Sequence, residues 1–337
     1  MAAHIFGLDI GRSFVKTVEL NGGGKQKTLK AVGSVQTPGG GIQSESQVEL
    51  AKVSEAIRQC VNSAKIEASE CVVSIIESQV VSRLIELPNL TDKELAAAIN
   101  WEAEQYIPMP IKDVNLQYKV VSKGETTGKI SVLLIAAPKR VIEKYINIVH
   151  AAGLKPVAFE TESLALARSL YREGDPTTII VSLGAASTEL VVVYGANVVF
   201  TRSIATGGMA LTRAIMNEFN LPQNQAEEYK QTYGILTDKL SGKVANVLKP
   251  VLEILAVELV KAIEYTHTHV AGSSVSRVVI CGGGSFLPGF SEFLAERTSL
   301  EISLGDPWAD FSKEGLITKL TGQGSVYAVA TGLALRQ

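Results

Sequence analysis

The N-terminal part of the chain has apolar positions at the spacing of strands and then at the spacing of a helix. Strands are predicted over His4–Ile10, Phe14–Leu20 and Leu29–Gln36, with glycines between them. The apolar residues of Val48–Val61 fall near one face of a helix, and Cys71–Ile76 is a further short strand. The first unit is therefore predicted as strand, strand, strand, helix, strand.

The same order recurs in the second half of the chain. Strands are predicted over Thr178–Leu183, Glu189–Tyr194 and Val198–Ile204, followed by a helix from about Gly208 to Phe219. The strand Arg277–Cys281 comes much later. A repeat of this size indicates an internal duplication of a domain, not a solenoid of short repeats.

An α+β insert is predicted to interrupt the first copy between Val80 and Glu160. One of its helices has a clear start, since Thr91 and Glu94 have the spacing of a capping box. The second helix, Arg140–Ala152, is expected to end at Gly153. The predicted strands of the insert are Val80–Glu86, Val114–Val121 and Ile130–Ala136.

A mostly helical segment, about Pro222 to Val270, interrupts the second copy. Pro250 either kinks its long helix or begins a new one. These patterns divide the chain into four parts: 1–79 with 161–176, 80–160, 177–219 with 274–337, and 220–273.

Composition narrows the possible functions. Of the 337 residues 46% are hydrophobic, 20% are charged, and the formal net charge is -2. This balance disfavours general nucleic-acid binding. We see no signal peptide and no apolar run long enough for a membrane span, so a soluble cytoplasmic protein is expected. The sparse cysteines Cys60, Cys71 and Cys281 lack metal-ligand spacing and are expected to be buried.

Three glycine-containing turns are candidate phosphate sites: Asp9–Ser13, Leu183–Thr188 and Cys281–Ser285. Glycine permits tight turns whose backbone N–H groups converge on an anion. Each turn also has an ordinary explanation. The first two are compatible with plain hairpins, and the third with close packing between a helix and the sheet.

In the first turn, Asp9 is a candidate for holding Mg²⁺ through water, and Lys16 for neutralising phosphate charge. Ser13 and the amides near Gly11 are candidate contacts to the terminal phosphates.

The second turn follows Gly184. Its candidate phosphate donors are the amide of Ala185 and the hydroxyls of Ser187 and Thr188. The third turn offers three consecutive glycines, and its candidate ligand contacts are Gly282, Gly283 and Gly284.

This combination of motifs resembles the actin, Hsp70 and sugar kinase superfamily. Four segments are similar to the PilM family of type IV pilus proteins, within the FtsA-like branch: Leu87–Leu95, Trp101–Pro108, Ala226–Lys230 and Gly282–Gly289. The resemblance implies an α/β fold of two duplicated actin-like (ribonuclease H-like) lobes, with ATP or ADP and Mg²⁺ in the cleft between them.

The resemblance also implies a function and further site residues. Glu228 and Lys230 would contact ribose and adenine, although the same charges also suit a solvated helix face. The protein would be a cytoplasmic adaptor that binds the tail of a PilN-like inner-membrane protein in a groove beside the insert. It would contact the pilus motor ATPases and stay peripheral to the inner membrane through its partner. Self-association remains open.

Two positions depart from the family pattern. Arg12 replaces a small residue and either reaches phosphates or points to solvent. Ser182 stands where relatives usually have the Asp of an Asp–x–Gly motif, and Glu189 is a candidate substitute. We therefore expect nucleotide binding with weak or absent ATPase activity. The alternatives are an FtsA-like cytoskeletal protein, disfavoured because no basic amphipathic tail is seen, and a small-molecule kinase, disfavoured because a carboxylate base is lacking.

Overall fold

The structure is a computed structural model that describes residues 5–21, 27–124, 128–270 and 273–336. The strands of this described part are β1 (Ile5–Ile10), β2 (Phe14–Asn21), β3 (Thr28–Gln36), β4 (Glu70–Ile75), β5 (Val81–Pro88), β6 (Val114–Gly124), β7 (Lys129–Pro138), β8 (Lys155–Thr161), β9 (Thr178–Leu183), β10 (Thr188–Tyr194), β11 (Asn197–Ile204), β12 (Arg277–Cys281) and β13 (Glu301–Leu304). The α-helices are α1 (Gln47–Ala64), α2 (Asp92–Tyr106), α3 (Lys139–Ala151), α4 (Glu162–Leu170), α5 (Gly208–Phe219), α6 (Gln223–Tyr233), α7 (Lys243–His269), α8 (Phe290–Thr298), α9 (Leu316–Lys319) and α10 (Ala328–Ala334).

The duplication appears as two sheets with the same topology. The first has the strand order β3-β2-β1-β4-β8, and the second has the order β11-β10-β9-β12-β13. In each sheet an antiparallel meander of three strands is extended by two parallel strands. We refer to the parts of the chain built on these sheets as lobe one and lobe two. The predicted two-lobe actin-like fold is confirmed.

The insert forms a separate antiparallel sheet of order β5-β7-β6. Helix α2 covers one face and packs Leu95 and Ile99 against apolar residues such as Val132. The predicted capping box is present, since the Thr91 hydroxyl accepts from the Glu94 amide and the Glu94 carboxylate accepts from the Thr91 amide. The opposite face of the sheet is turned toward α4 and lobe two, where Leu133 is buried.

Helix α7 runs through Pro250 without ending there. Of the two alternatives for Pro250, a kink or the start of a new helix, the second is therefore wrong. Buried Leu248 and Leu252 lie on either side of it and pack into the core of lobe two, together with Leu255 and Leu259. Tertiary packing keeps the helix continuous despite the missing backbone donor.

The lobes meet around α4. Leu166 and Leu170 of this helix share a buried cluster with Ile180 and Val191 of lobe two. Elsewhere Cys60, Cys71 and Cys281 are free and buried, as predicted. Among the helices described, none is long and apolar enough to cross a membrane.

Candidate functional site

The first two glycine turns have the same geometry. The Gly11 amide donates to the Phe14 carbonyl, and the Gly184 amide donates to the Ser187 carbonyl, each over 3.0 Å. A Cβ at Gly11 or Gly184 would stand 2.9 Å from that same carbonyl oxygen. Both turns therefore require glycine, because a side chain would collide with the backbone carbonyl three residues further on.

Asp9 is held at the end of β1 and is 4% exposed. One carboxylate oxygen accepts from the Ser74 hydroxyl at 3.0 Å, and the other pairs with the Lys16 ammonium at 3.5 Å. The backbone of Ser13 is fixed because its carbonyl accepts from the Thr37 amide. The structure therefore brings Asp9, Ser13 and Lys16 together around Gly11, and their roles toward a ligand stay predictions.

Arg12 contacts the backbone of its own lobe, and the alternative of a contact to phosphates stays a prediction. Its guanidinium donates to the Gly39 carbonyl over 2.9 Å. Arg12 therefore joins the first turn to the glycine-rich loop between β3 and α1.

The second turn rests on the start of α5. The Gly208 and Met209 amides donate to the carbonyls of Gly184 and Ala185. The Thr188 side chain is fully buried, and its hydroxyl donates to the Thr206 carbonyl at 2.7 Å. These bonds fix the shape of the turn.

Glu189 and Ser182 are direct partners across the ladder between β10 and β9. One Glu189 carboxylate oxygen accepts from the hydroxyls of Ser187 and Ser203, each over 2.8 Å. Its other oxygen is buried without a hydrogen-bond partner. Burial raises the pKa of Glu189 to about 7, against the effect of the two serine hydroxyls.

The third turn packs against the end of β9, next to the second turn. A Cβ on Gly282 would stand 2.8 Å from the Leu183 carbonyl oxygen, and one on Gly284 would stand 2.2 Å from the Leu183 side chain. Gly283 instead has open space where its Cβ would be. Packing thus explains two of the glycines, and Gly283 is the position with room for a ligand.

Two further carboxylates, which were not predicted from the sequence, lie at the base of the cleft. Glu162 begins α4 directly after β8, and Glu77 lies in a single helical turn after β4. Loss of hydration raises the pKa of Glu162 well above its ordinary value, and the charges of Asp9, Glu189 and Glu77 raise it further. A possible signal was their position, because ligands bind at the carboxyl ends of parallel strands.

Glu77 joins several parts of the molecule. Its carboxylate accepts from the amide and hydroxyl of Ser163 at the start of α4. Burial raises the pKa of Glu77, while bonds from Ser163 and from the Thr201 hydroxyl of lobe two act in the opposite direction. Glu77 therefore connects lobe one to lobe two directly before the insert begins.

The residues predicted for ribose and adenine lie on α6. Lys230 is largely buried, and its ammonium donates to the Gly208 carbonyl, the Thr212 hydroxyl and the Glu227 carboxylate. Glu228 is exposed. Lys230 thus holds α6 against the start of α5, while Glu228 remains accessible.

The donor set at these turns fits a nucleotide better than a bare metal ion. Within the described ranges, no group of three or more His, Cys, Asp or Glu side chains is placed to hold a metal. The unpartnered oxygen of Glu189 and the open side of Gly283 are the features that accommodate a ligand. Mg²⁺ that arrives with a phosphate needs only a few protein oxygens, often through water.

A groove of about 250 Å³ lies beside the insert. Its floor is α4. One wall is the face of β6 and β7 that is turned away from α2, and the other wall is the tip of the β10–β11 hairpin. The residues that line it are Lys119, Val121, Leu133, Leu164, Ala167, Arg168, Tyr171, Glu173, Ala196, Asn197 and Val198. It is continuous with a second depression, about 420 Å³ in volume, that shares Arg168, Tyr171 and Glu173.

Comparison with known families decides the classification. The model of the family described as type IV pilus assembly protein PilM matches residues 7–337. The chain belongs to this family. The predicted family resemblance is confirmed.

Solved structures agree with the PilM family and with its fold. A chain of a PilM-PilN type IV pilus biogenesis complex is 30% identical, with a TM-score of 0.85, and the match covers 100% of this chain and 99% of that one. MreB5 of Spiroplasma citri bound to ADP is 14% identical with a TM-score of 0.57, over 98% of this chain and 95% of that chain. The latter likeness shows the fold alone.

Curated relatives outside PilM are more distant. Ethanolamine utilization protein EutJ of Salmonella typhimurium is 24% identical over 45% of this chain and 48% of its own. The match thus spans about half the length of EutJ. Cell division protein FtsA of Streptococcus pneumoniae is 20% identical over 89% of this chain and 75% of its own.

Proposed function

We propose that this PilM-family chain is a nucleotide-binding adaptor of type IV pilus assembly. It holds the cytoplasmic tail of a PilN-like inner-membrane protein. The observation that carries the proposal is the full-length likeness to a chain of a PilM-PilN complex, at 30% identity. The FtsA-like and kinase alternatives have no comparable support.

The cleft between the lobes is proposed to bind ATP or ADP. The paired turns at Gly11 and Gly184 face phosphates, with Lys16 supplying positive charge and Ser13 close by. Gly283 lies in the adenosine part of the cleft, between the packed Gly282 and Gly284. Glu228 is accessible to the ribose, whereas Lys230 acts mainly by holding α6 in place.

Asp9 and Glu189 are proposed to hold the water molecules around Mg²⁺. The ion would offset the negative charge on the phosphates, and Asp9 and Glu189 would orient its bound water. Burial makes the Glu189 carboxylate hard to ionise in the absence of a cation. With Ser182 in place of an acid, hydrolysis is expected to be weak or absent.

The groove beside the insert is proposed to receive the PilN-like tail. It has an apolar floor from Leu164, Ala167 and Tyr171, and charged groups at its rim. An extended peptide fits such a site, because alternate side chains enter the apolar part while its backbone stays polar. The partner would keep the protein on the cytoplasmic face of the inner membrane. Contacts with the pilus motor ATPases and self-association are proposed for other surfaces.

The test is a titration of the protein with a synthetic peptide of the partner's cytoplasmic tail. Ala167→Arg fills the groove, and Lys119→Glu reverses a charge at its exposed rim. Both are expected to weaken peptide binding while the variants keep their melting temperature. Ala97→Arg places the same side chain on exposed α2, beyond the opposite face of the insert sheet, and is expected to bind normally. Full affinity in both groove variants would contradict the proposed site.

A further inference from the structure

The β10–β11 hairpin reaches both the cleft and the groove. At one end Thr188 and Glu189 follow directly from the second glycine turn. At the other end Ala196 and Asn197 line the groove. The seven residues of β10 span roughly 23 Å at the rise of a strand. One element therefore connects two sites that lie far apart.

The hairpin is part of a close-packed sheet, and its ladder has one irregularity, between Val192 and Val193. Thr188–Val193 of β10 are buried. They pair with β9 from Leu183 to Thr178 on one side and with β11 on the other. A close-packed central strand transmits a displacement of its end instead of absorbing it, because packed interiors have few voids into which side chains can relax.

The outer strand of the hairpin contacts the insert at one place and the segment just before the insert at another. The Asn197 side-chain amide donates to the Val121 carbonyl of β6 over 3.3 Å. Further along β11, the Thr201 hydroxyl lies close enough to the Glu77 carboxylate, directly before the insert, to lower its pKa. Lobe two therefore contacts edge strand β6 of the insert through Asn197, and the segment that leads into the insert through Glu77.

The Glu77 contact also connects to the carboxylates of the cleft. The Glu77 amide donates to the Glu162 carboxylate over 3.4 Å. The negative charges of Asp9 and Glu189 in turn raise the pKa of Glu162. A change of charge or position in the cleft therefore acts on the same contacts that hold the insert.

We infer that the β10–β11 hairpin couples the nucleotide cleft to the groove, with Asn197 as the positioning residue at the groove end. The inference rests on the proposed function and adds its regulation. Nucleotide at the second turn displaces the hairpin, and Asn197 passes this displacement to β6. By linkage, an occupied groove changes nucleotide affinity by the same factor, on the order of 5-fold or more.

The test combines calorimetry with hydrogen–deuterium exchange on the full chain. Calorimetry first establishes whether Mg-ADP binds. Exchange is then measured over 114–121 of β6 and 194–198 of the hairpin tip, with and without Mg-ADP. In the unmodified protein Mg-ADP is expected to change exchange in both segments severalfold. Asn197→Ala should bind Mg-ADP within about twofold of the unmodified protein but lose the change in β6. Gln117→Ala alters an exposed side chain on β6 and should keep the change of exchange in β6.

The outcomes distinguish a failure of the coupling from a failure of the proposed nucleotide site. Mg-ADP binding without any change of exchange in β6 would overturn the coupling and leave the nucleotide site intact. A full response in Asn197→Ala would overturn the role of Asn197. No calorimetric binding would overturn the nucleotide part of the proposed function, and the coupling with it. As a further readout, the ratio of tail-peptide affinities with and without Mg-ADP should fall toward one in Asn197→Ala.

Discussion

Glu189 lies directly across the β9–β10 ladder from Ser182, as Lys16 lies across the β1–β2 ladder from Asp9. The two turns are equivalent by topology, but their charges are arranged differently. In lobe one the acid is on the first strand. In lobe two the acid is on the second strand, and the first strand carries a serine. The second turn thus has a carboxylate on the strand opposite Ser182.

The first prediction concerns pH. Glu189 has a pKa of about 7 in the folded protein, and only its ionised form can hold the water around a cation. Affinity for Mg-ADP should therefore rise by roughly tenfold between about pH 6 and 8, by proton linkage. The nucleotide's own phosphate titrates nearby, so Glu189→Gln is the control. Calorimetry should show a smaller rise in that variant, and equal pH profiles would argue against this role.

The second prediction concerns how Glu189 makes the stability of the ligand-free protein depend on pH. The folded pKa of Glu189 lies above the ordinary value of 4.5. Its contribution to stability is therefore fully present below about pH 4.5 and is lost as pH rises through about 7. At pH 8, Glu189→Gln should raise the free energy of unfolding by about 3 kcal/mol. Urea unfolding at several pH values checks this, and a destabilised variant at pH 8 would contradict it.

A third prediction places an acid at Ser182, where the family resemblance implies one. Ser182→Asp places a second carboxylate opposite Glu189, so the ligand-free protein should lose about 1 kcal/mol of stability. With Mg-ATP the new acid should increase phosphate release. Ser182→Asn is the uncharged control, and it should leave phosphate release unchanged. If Ser182→Asp hydrolyses ATP no faster than the unmodified protein, the proposed role of Ser182 in limiting hydrolysis is contradicted.

The fourth prediction separates ligand room from packing in the third turn. Gly283→Leu projects into open space, so it should keep the melting temperature and lose roughly tenfold or more in nucleotide affinity. Gly284→Leu collides with the Leu183 side chain and should cost about 1–3 kcal/mol of stability. Thermal unfolding with and without Mg-ADP measures both effects. Unchanged affinity in a folded Gly283→Leu would place the nucleotide elsewhere.

The fifth prediction distinguishes the two charged residues of α6. Lys230→Met removes the bonds that tie α6 to Gly208 and Thr212 and leaves Glu227 without its cation. It should destabilise the protein by about 1–3 kcal/mol. Exposed Glu228→Gln should leave stability unchanged and weaken only nucleotide binding. Chemical denaturation and calorimetry on both variants would show whether this division of roles holds.

Much of the architecture was predictable because it depends on local patterns. The glycines at Gly11 and Gly184 mark equivalent hairpins, and the capping box at Thr91 marks the start of α2. Pro250 was the ambiguous case, since a proline's local preference cannot show that Leu248 and Leu252 are both drawn into the core.

The base of the cleft was less predictable because it depends on long-range geometry. Glu77 and Glu162 are 85 residues apart in sequence, and they meet only because β4 and β8 are parallel neighbours. The cross-strand position of Glu189 relative to Ser182 depends on the register of one hairpin. The contact of Arg12 with Gly39 likewise depends on where a distant loop folds back.

The most direct test of the account measures tail-peptide affinity by calorimetry in ligand-free protein and in protein saturated with Mg-ADP. The account predicts binding that the groove variant Ala167→Arg weakens, with a nucleotide-dependent change in affinity on the order of 5-fold or more. A peptide that fails to bind in either state would contradict the assignment of this chain as a nucleotide-responsive adaptor.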